Sequence, residues 1–252
     1  MKILLVNDDG IHADGLLVLA KELEKNNQVI IVAPDDQRSA CGHSITLGSP
    51  LNIRKTKIHG VTSKAYSVSG TPADCVRIGI LKLCNNEGFD FIMSGINRGV
   101  NLGRDILYSG TVSAAIEAAI NNIPSIAVSA HLDGEKINYV AAAKYAGIIL
   151  KLAKKNYIGS DIVLNLNVPS IDESKIKGIK VCKSSGRLYE DRYKETGRNG
   201  DEVTYIANGI KNEIHDEGTD VQFLNDGYVT LTPLHYDLTD YKTIEKLKEI
   251  ID

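Results

Sequence analysis

Two adjacent carboxylates, Asp8 and Asp9, flanked by Asn7 and Gly10, are the first residues in the chain whose types point to chemistry. Neighbouring residues of a strand face opposite ways, so both carboxylates serve one site only if the apolar run Ile3–Val6 has ended before them, and Gly10 suits that turn. Two unit charges ~4 Å apart repel by roughly 4 kcal/mol at an effective dielectric of about 20, so the pair asks for a cation. The same residues equally suit a plain acidic loop ahead of a helix. A second polar segment runs from Asp35 to Ser44 and includes Ser39, and it is long for a simple connection. A third, Ser94 to Gly103, carries Asn97 among Gly95, Gly99 and Gly103. That glycine spacing is not G-x-G-x-x-G, and G-K-[ST] occurs nowhere in the chain, which removes dinucleotide and P-loop readings. A fourth, Tyr108 to Ala115, places Ser109, Gly110 and Thr111 ahead of an alanine-rich stretch, as a helix cap, as an anion cradle, or as both. Carboxylate, hydroxyl and amide oxygens together suit a hard divalent ion such as Mg or Mn and not zinc. A filled acidic site accepts a phosphate dianion that an empty one would repel.

Such residues need a scaffold that brings remote segments together. Ile3–Val6 reads as a buried strand, Asp14 to Asn26 as an amphipathic helix with Leu16, Leu19, Ala20 and Leu23 on one face, and Gln28 to Ala33 as a second strand closed by Pro34. The alternation continues: helix over Thr71 to Cys84, strand over Asp90 to Ser94, helix over Gly110 to Asn121, strand over Pro124 to Ala130, helix over Tyr139 to Lys155, strand over Asp161 to Asn167. Strand and helix in turn predict an α/β fold, a doubly wound, mostly parallel sheet in a three-layer sandwich. Such sheets bind ligands beyond the carboxyl ends of their strands, where the first three polar segments begin. Ser184 to Tyr205 is rich in charge, Gly and Tyr and reads as an arm; Tyr228 to Thr232 alternates as a strand, and Thr239 to Ile251 as a short amphipathic helix. The division expected is one domain over 1–252, with a core to about 183 and a C-terminal extension over about 184–252.

Composition narrows the function classes. With 252 residues, 43% hydrophobic and 24% charged, the chain can bury a sizeable core without disulfide or metal staples. Lys and Arg number 29 against 32 Asp and Glu, and a net charge of −3 gives no broad positive field for a nucleic-acid polymer. No apolar stretch approaches the ~20 residues of a membrane span. The apolar start is interrupted at Asn7-Asp8-Asp9, too early for a signal peptide, so a cytoplasmic protein without membrane contact is expected. Cys41, Cys75, Cys84 and Cys182 show no paired spacing and read as buried free thiols.

The segments Val6-Asn7-Asp8-Asp9-Gly10-Ile11, Ala33-Pro34 with Gln37-Arg38-Ser39, Ser94-Gly95-Ile96-Asn97-Arg98-Gly99 and Tyr108-Ser109-Gly110-Thr111-Val112-Ser113-Ala114-Ala115 resemble the SurE family, in order and spacing, over nearly the whole chain. The resemblance implies a metal-dependent phosphatase of nucleoside 5'- and 3'-monophosphates, with some members also cleaving short polyphosphate. It implies one divalent ion per subunit, Mg or Mn, on Asp8, Asp9, Ser39 and Asn97, with Ser109, Gly110 and Thr111 holding phosphate. It implies a Rossmann-like core and a C-terminal extension, a β-hairpin arm and terminal helix, exchanged between subunits in a homodimer or tetramer.

For the chemistry, the expectation is a metal-activated water attacking in line, with Asp8 or Asp9 orienting it or taking its proton, and Asn97 completing the catalytic set. A covalent aspartyl-phosphate ranks second, because enzymes of that kind use Asp-x-Asp and here the two Asp are adjacent. His43 and His12 are weak candidates for the leaving-group acid. Two competitors are a phosphorylated receiver-type switch, disfavoured because Ser94 to Gly103 holds no Asp, and a metal-dependent nucleotide-sugar transferase.

Overall fold

The computed structural model describes residues 1–84, 87–156, 159–190, 192–212 and 216–251. The chain begins with β1 (Lys2–Val6), α1 (Asp14–Glu24), β2 (Gln28–Pro34), β3 (Ile53–Thr56), β4 (Lys64–Val68) and α2 (Pro72–Ile78). It continues through β5 (Phe91–Arg98), α3 (Gly110–Ile120), β6 (Ser125–Ala130), α4 (Tyr139–Lys155), β7 (Val163–Val168) and β8 (Ile179–Val181). The C-terminal part holds β9 (Tyr189–Glu190), β10 (Tyr193–Asn199), β11 (Glu202–Ala207), β12 (Ile210–Lys211), α5 (Asp220–Asn225), β13 (Val229–Leu234) and α6 (Tyr241–Ile251).

β1 carries aliphatic side chains on both faces, and Ile3, Leu4, Leu5 and Val6 are all fully buried. Such burial stabilises by roughly 1.5–3 kcal/mol per side chain and requires neighbours on both sides and both faces. Among the described residues, nine strands form one sheet in the order β3-β4-β2-β1-β5-β6-β7-β13-β8. Pairing is parallel from β4 through β7 and between β13 and β8, and antiparallel at β3–β4 and β7–β13. Ile3 and Leu5 meet α1 and α4 through Leu16, Leu19, Ala146 and Ile149. Leu4 and Val6 meet α2 and α3 through Cys75, Val76, Ala114 and Ala118. The three-layer α/β sandwich expected from the alternation is therefore present.

The order of strands decides where a site can form. From β1 the chain moves to β2 and β4 on one side, then returns to build β5, β6 and β7 on the other. The direction reverses between β1 and β5, so a crevice opens beyond their carboxyl ends.

Several elements differ from expectation. The helix over Thr71 to Cys84 is α-helical only to Ile78 and then widens into a π-helical turn at Gly79–Leu83. A Cβ at Gly79 would lie 2.6 Å from Leu4 Cδ2, so the missing side chain lets this turn seat on β1. The strand from Asp90 continues past Ser94 to Arg98, with a shift of register against β6 between Ser94 and Asn97. β3 and β4 were not expected; β3 has no buried residue to mark it. The stretch 184–252 supplies an arm, in which β10 and β11 form an exposed antiparallel hairpin, but also β13, which lies inside the main sheet. All four cysteines are free; Cys75 and Cys182 are buried as expected, whereas Cys41 and Cys84 are half-buried. Among the described residues, no helix is long and apolar enough to cross a membrane.

Candidate active site

Beyond the carboxyl ends of β1 and β5 lies an open cleft of about 240 Å³. Asp8, Asp9, Ser39, Asn97 and Ser109 all line it, contributed by four separate segments. β1 ends at Val6, so Asp8 and Asp9 are already in the turn and both reach the cleft. The Asp35 to Ser44 loop is drawn in by the Arg38 N–H, which donates to the Asp8 carbonyl at 2.8 Å. Gln37 donates its side-chain amide to the Ser39 hydroxyl at 2.8 Å and lies 3.5 Å from Asp9 Oδ1. Asn97 is steadied by donating its side-chain amide to the Gly99 carbonyl at 2.9 Å.

Ser109 is the N-cap of α3, its hydroxyl oxygen accepting from the Val112 N–H at 3.1 Å. Gly110 and Thr111, the next two residues, are turned on Asp8. The Thr111 hydroxyl donates to Asp8 Oδ1 at 2.5 Å. At Gly110 a Cβ would stand 2.8 Å from the Asp8 Cβ and 3.1 Å from Pro72 Cγ, so only glycine lets α3 begin this close to the carboxylate. The positive end of α3 therefore faces Asp8.

Asp8 is 5% exposed, and burial pushes its carboxyl from 3.8 up to about 6; the Thr111 hydrogen bonds oppose that rise and the Asp9 charge adds to it. Asp9 is also raised by burial, against the Arg98 N–H, which donates to Asp9 Oδ2 at 2.9 Å, and the Arg98 charge. Two carboxylates held in a desolvated pair, each destabilised in its ionised form, are a place where a cation lowers the free energy. Among the described residues no cluster of three or more His, Cys, Asp or Glu side chains is arranged to hold a metal. The donors available are two carboxylates, a hydroxyl and an amide oxygen, a set that fits a hard divalent ion and does not fit zinc.

Residues with no expected role complete the surroundings. Asn101 lines the cleft and is held in a buried polar network: its N–H donates to Asn167 Oδ1 and its side chain to the Ser129 hydroxyl, both at 2.8 Å, while its carbonyl accepts from Asn165 and Asn167. Asn165 and Asn167 both lie in fully buried β7, and two polar residues at alternate positions of an apolar strand are the signal that marks them. Arg98, Asp105 and Tyr108 also line the cleft. His43 does not: its Nε2 lies 2.8 Å from Glu117 Oε2, and it borders an apolar groove with Ile116, Ile120 and Leu234. His12 is exposed and is not part of the cleft wall either.

A family model described as "Survival protein SurE" matches residues 3–191. This chain belongs to the SurE family. The SurE relatives include a "5'-nucleotidase SurE" of Clostridium beijerinckii, 49% identical over 254 residues and covering all of both chains. A protein of the same name from a type A strain of Clostridium botulinum is 49% identical over 252 residues and 99% of each chain. Among solved structures, the crystal structure of the SurE protein from Aquifex aeolicus superimposes with a TM-score of 0.88 at 39% identity, over the full length of both chains.

Proposed function

We propose that this SurE-family chain is a divalent-metal-dependent phosphomonoesterase that hydrolyses nucleoside 5'- and 3'-monophosphates to nucleoside and phosphate. The observation that carries the reading is the convergence of Asp8, Asp9, Ser39 and Asn97, from three strand ends, on one cleft at the reversal point of the sheet. The names of its relatives, 5'-nucleotidases, supply the substrate class.

Asp8, Asp9, Ser39 and Asn97 are the residues that would hold the ion. Bound there, a divalent ion supplies positive charge for the phosphoryl oxygens and lowers the pKa of a water at the site. The chain's own contributions follow from the geometry. Ser109, at the first turn of α3, offers its hydroxyl to a phosphate oxygen, and the helix terminus favours the same negative charge. Thr111 and Gly110 hold Asp8 in place, so that its carboxylate is aimed before substrate arrives. Asp8 or Asp9, the latter braced by the Arg98 N–H, orients the attacking water and takes its proton. Mg or Mn suits the oxygen donors, and short polyphosphate is a further substrate of the same site.

The same reading makes the protein a cytoplasmic homodimer, or a tetramer, joined through the C-terminal extension. In support, α6 has no buried residue, and Leu238, Ile250 and Ile251 are 88%, 77% and 80% exposed. Light scattering of the full chain tests this, a monomer at micromolar concentration being the contrary result.

The deciding experiment is phosphate release from 5'- and 3'-adenylate, ribose 5-phosphate and tripolyphosphate with Mg, Mn, Co or Zn, using Asp8→Asn and Asn97→Ala as controls. Full activity in folded, chelator-stripped protein overturns the reading.

A further inference from the structure

Beside the acidic cleft lies a larger concavity of about 490 Å³, and Asp105 and Tyr108 belong to the walls of both. Its far side is built by Arg104, Arg187, Tyr189 and Gly209. Two segments distant in sequence make most of it, with Gly209 added from between β11 and β12. One is the 3-10 turn Gly103–Tyr108, directly ahead of the Ser109 cap. The other is the start of the C-terminal arm, where Leu188 is buried against Leu102, Val221 and Leu224. Leu188 is anchored inward, and Arg187 and Tyr189 on either side of it line the concavity.

The two segments are locked together. Fully buried Asp220 accepts from the Gly103 N–H and the Ser185 N–H, each at 2.9 Å. The Arg104 N–H donates to the Gly186 carbonyl at 3.2 Å, and the Ser184 hydroxyl to the Gly103 carbonyl at 2.9 Å. Gly103 has φ +55°, and a Cβ there would lie 2.3 Å from the Gly186 oxygen, so the close approach requires glycine. A rim fixed by hydrogen bonds at both segments is preorganised for a ligand.

The lining selects the ligand. Tyr108 is 61% exposed and Tyr189 47% exposed, two aromatic faces of the kind on which a flat heterocycle stacks, and two guanidinium groups add cation–π surfaces. A bare polyphosphate gains nothing from the tyrosine rings, so the aromatic faces favour a ligand that carries a flat heterocycle. The shared wall of Asp105 and Tyr108 puts the concavity next to the leaving group of a monoester whose phosphate sits in the acidic cleft. We propose that this concavity receives the nucleobase of the substrate, and that Tyr189, from the C-terminal arm, is a specificity-determining residue. The proposal rests on the phosphomonoesterase reading above.

The test compares kcat/KM for adenosine 5'-monophosphate and for ribose 5-phosphate in the full-length protein, its Tyr189→Ala and Tyr189→Phe variants, and Arg104→Ala. Tyr189 is half exposed, and thermal unfolding checks that each variant folds. The expected result is that Tyr189→Ala lowers the preference for adenylate over ribose 5-phosphate by roughly five- to hundredfold, mainly through KM, and that Tyr189→Phe restores it. An unchanged preference overturns the proposal. Binding of adenosine alone, followed by saturation-transfer NMR, separates the two readings. Adenosine bound by the wild type and not by Tyr189→Ala, with neither ester hydrolysed, sinks the phosphatase reading and leaves the base pocket standing. Ester hydrolysis indifferent to Tyr189, with no adenosine bound, does the reverse.

Discussion

Thr111 turns its hydroxyl onto the carboxylate of Asp8, 2.5 Å away, although 103 positions separate them in the chain. The contact joins the first strand to the first turn of α3 and aims the acid before any ligand is present. Thr111→Val removes the donor, which raises the Asp8 carboxyl further. The expected outcome is a loss of Mn affinity at pH 7 of about twofold for the first unit the carboxyl rises above 6, approaching tenfold per unit once it lies above 7, with Thr111→Ser close to wild type. Calorimetric titration measures this, and equal affinity in the Val variant would remove Thr111 from the site.

Asp8 links stability to pH in the metal-free protein. Its folded value, about 6, lies above the ordinary 3.8, so the folded chain holds that proton more tightly than the unfolded chain does. The contribution is full below about pH 4 and is lost as pH rises through 6, of order 3 kcal/mol in all. Asp8→Asn never ionises. In chelator it should melt above wild type at pH 8 and not at pH 4, while phosphate release falls roughly hundredfold or more. A variant less stable than wild type at pH 8 contradicts the account.

Gly110→Ala reverses the usual helix preference. Alanine is about 1 kcal/mol better than glycine inside helices, yet here the methyl group would meet Asp8 and Pro72 at 2.8 and 3.1 Å. A destabilisation of ~1–3 kcal/mol is expected, with a fall in kcat/KM as Asp8 is displaced. Denaturant unfolding with steady-state kinetics decides, and a gain in stability would show that the helix start yields without harm.

Replacing Asn167 by Leu leaves the buried Asn101 N–H without its acceptor at a cost of about 1–3 kcal/mol. Because Asn101 lines the cleft, kcat should fall together with the melting temperature. Loss of stability with kcat intact would make the network purely structural.

His43→Gln tests the leaving-group acid from the opposite side. His43 is bonded to Glu117 and borders the apolar groove, so the pH–rate profile and kcat should stay at wild-type values. A lost acidic or basic limb would return His43 to the mechanism.

The sheet was legible wherever burial wrote itself into a run of aliphatics, as in Ile3–Val6 and Gln28–Ala33, because such residues can only be interior strands. Asp8, Asp9 and Asn97 stood out because each lies at a strand's carboxyl end, where doubly wound sheets gather their ligands. β3 was invisible for the opposite reason: Ile-Arg-Lys-Thr at a sheet edge buries nothing that would set a period. β5 was cut short at Ser94 because glycines usually close a strand, and here the sheet absorbs them with a change of register. The clamp on Asn101 by Asn165 and Asn167 joins residues more than sixty positions apart, and no local pattern reports a pairing that depends on which strands become neighbours.

β13 enters the sheet between β7 and β8, and in that order β8 has no other partner. As the polypeptide leaves the ribosome, β7 must therefore wait with an open edge, and β8 without any neighbour, until residues 229–234 emerge. An unpaired edge that long-lived invites association with other nascent chains. The last quarter of the molecule thus acts as the closing strand of biosynthesis, and truncations before Val229 should send the protein to chaperones or inclusion bodies even though the acidic cleft is already encoded.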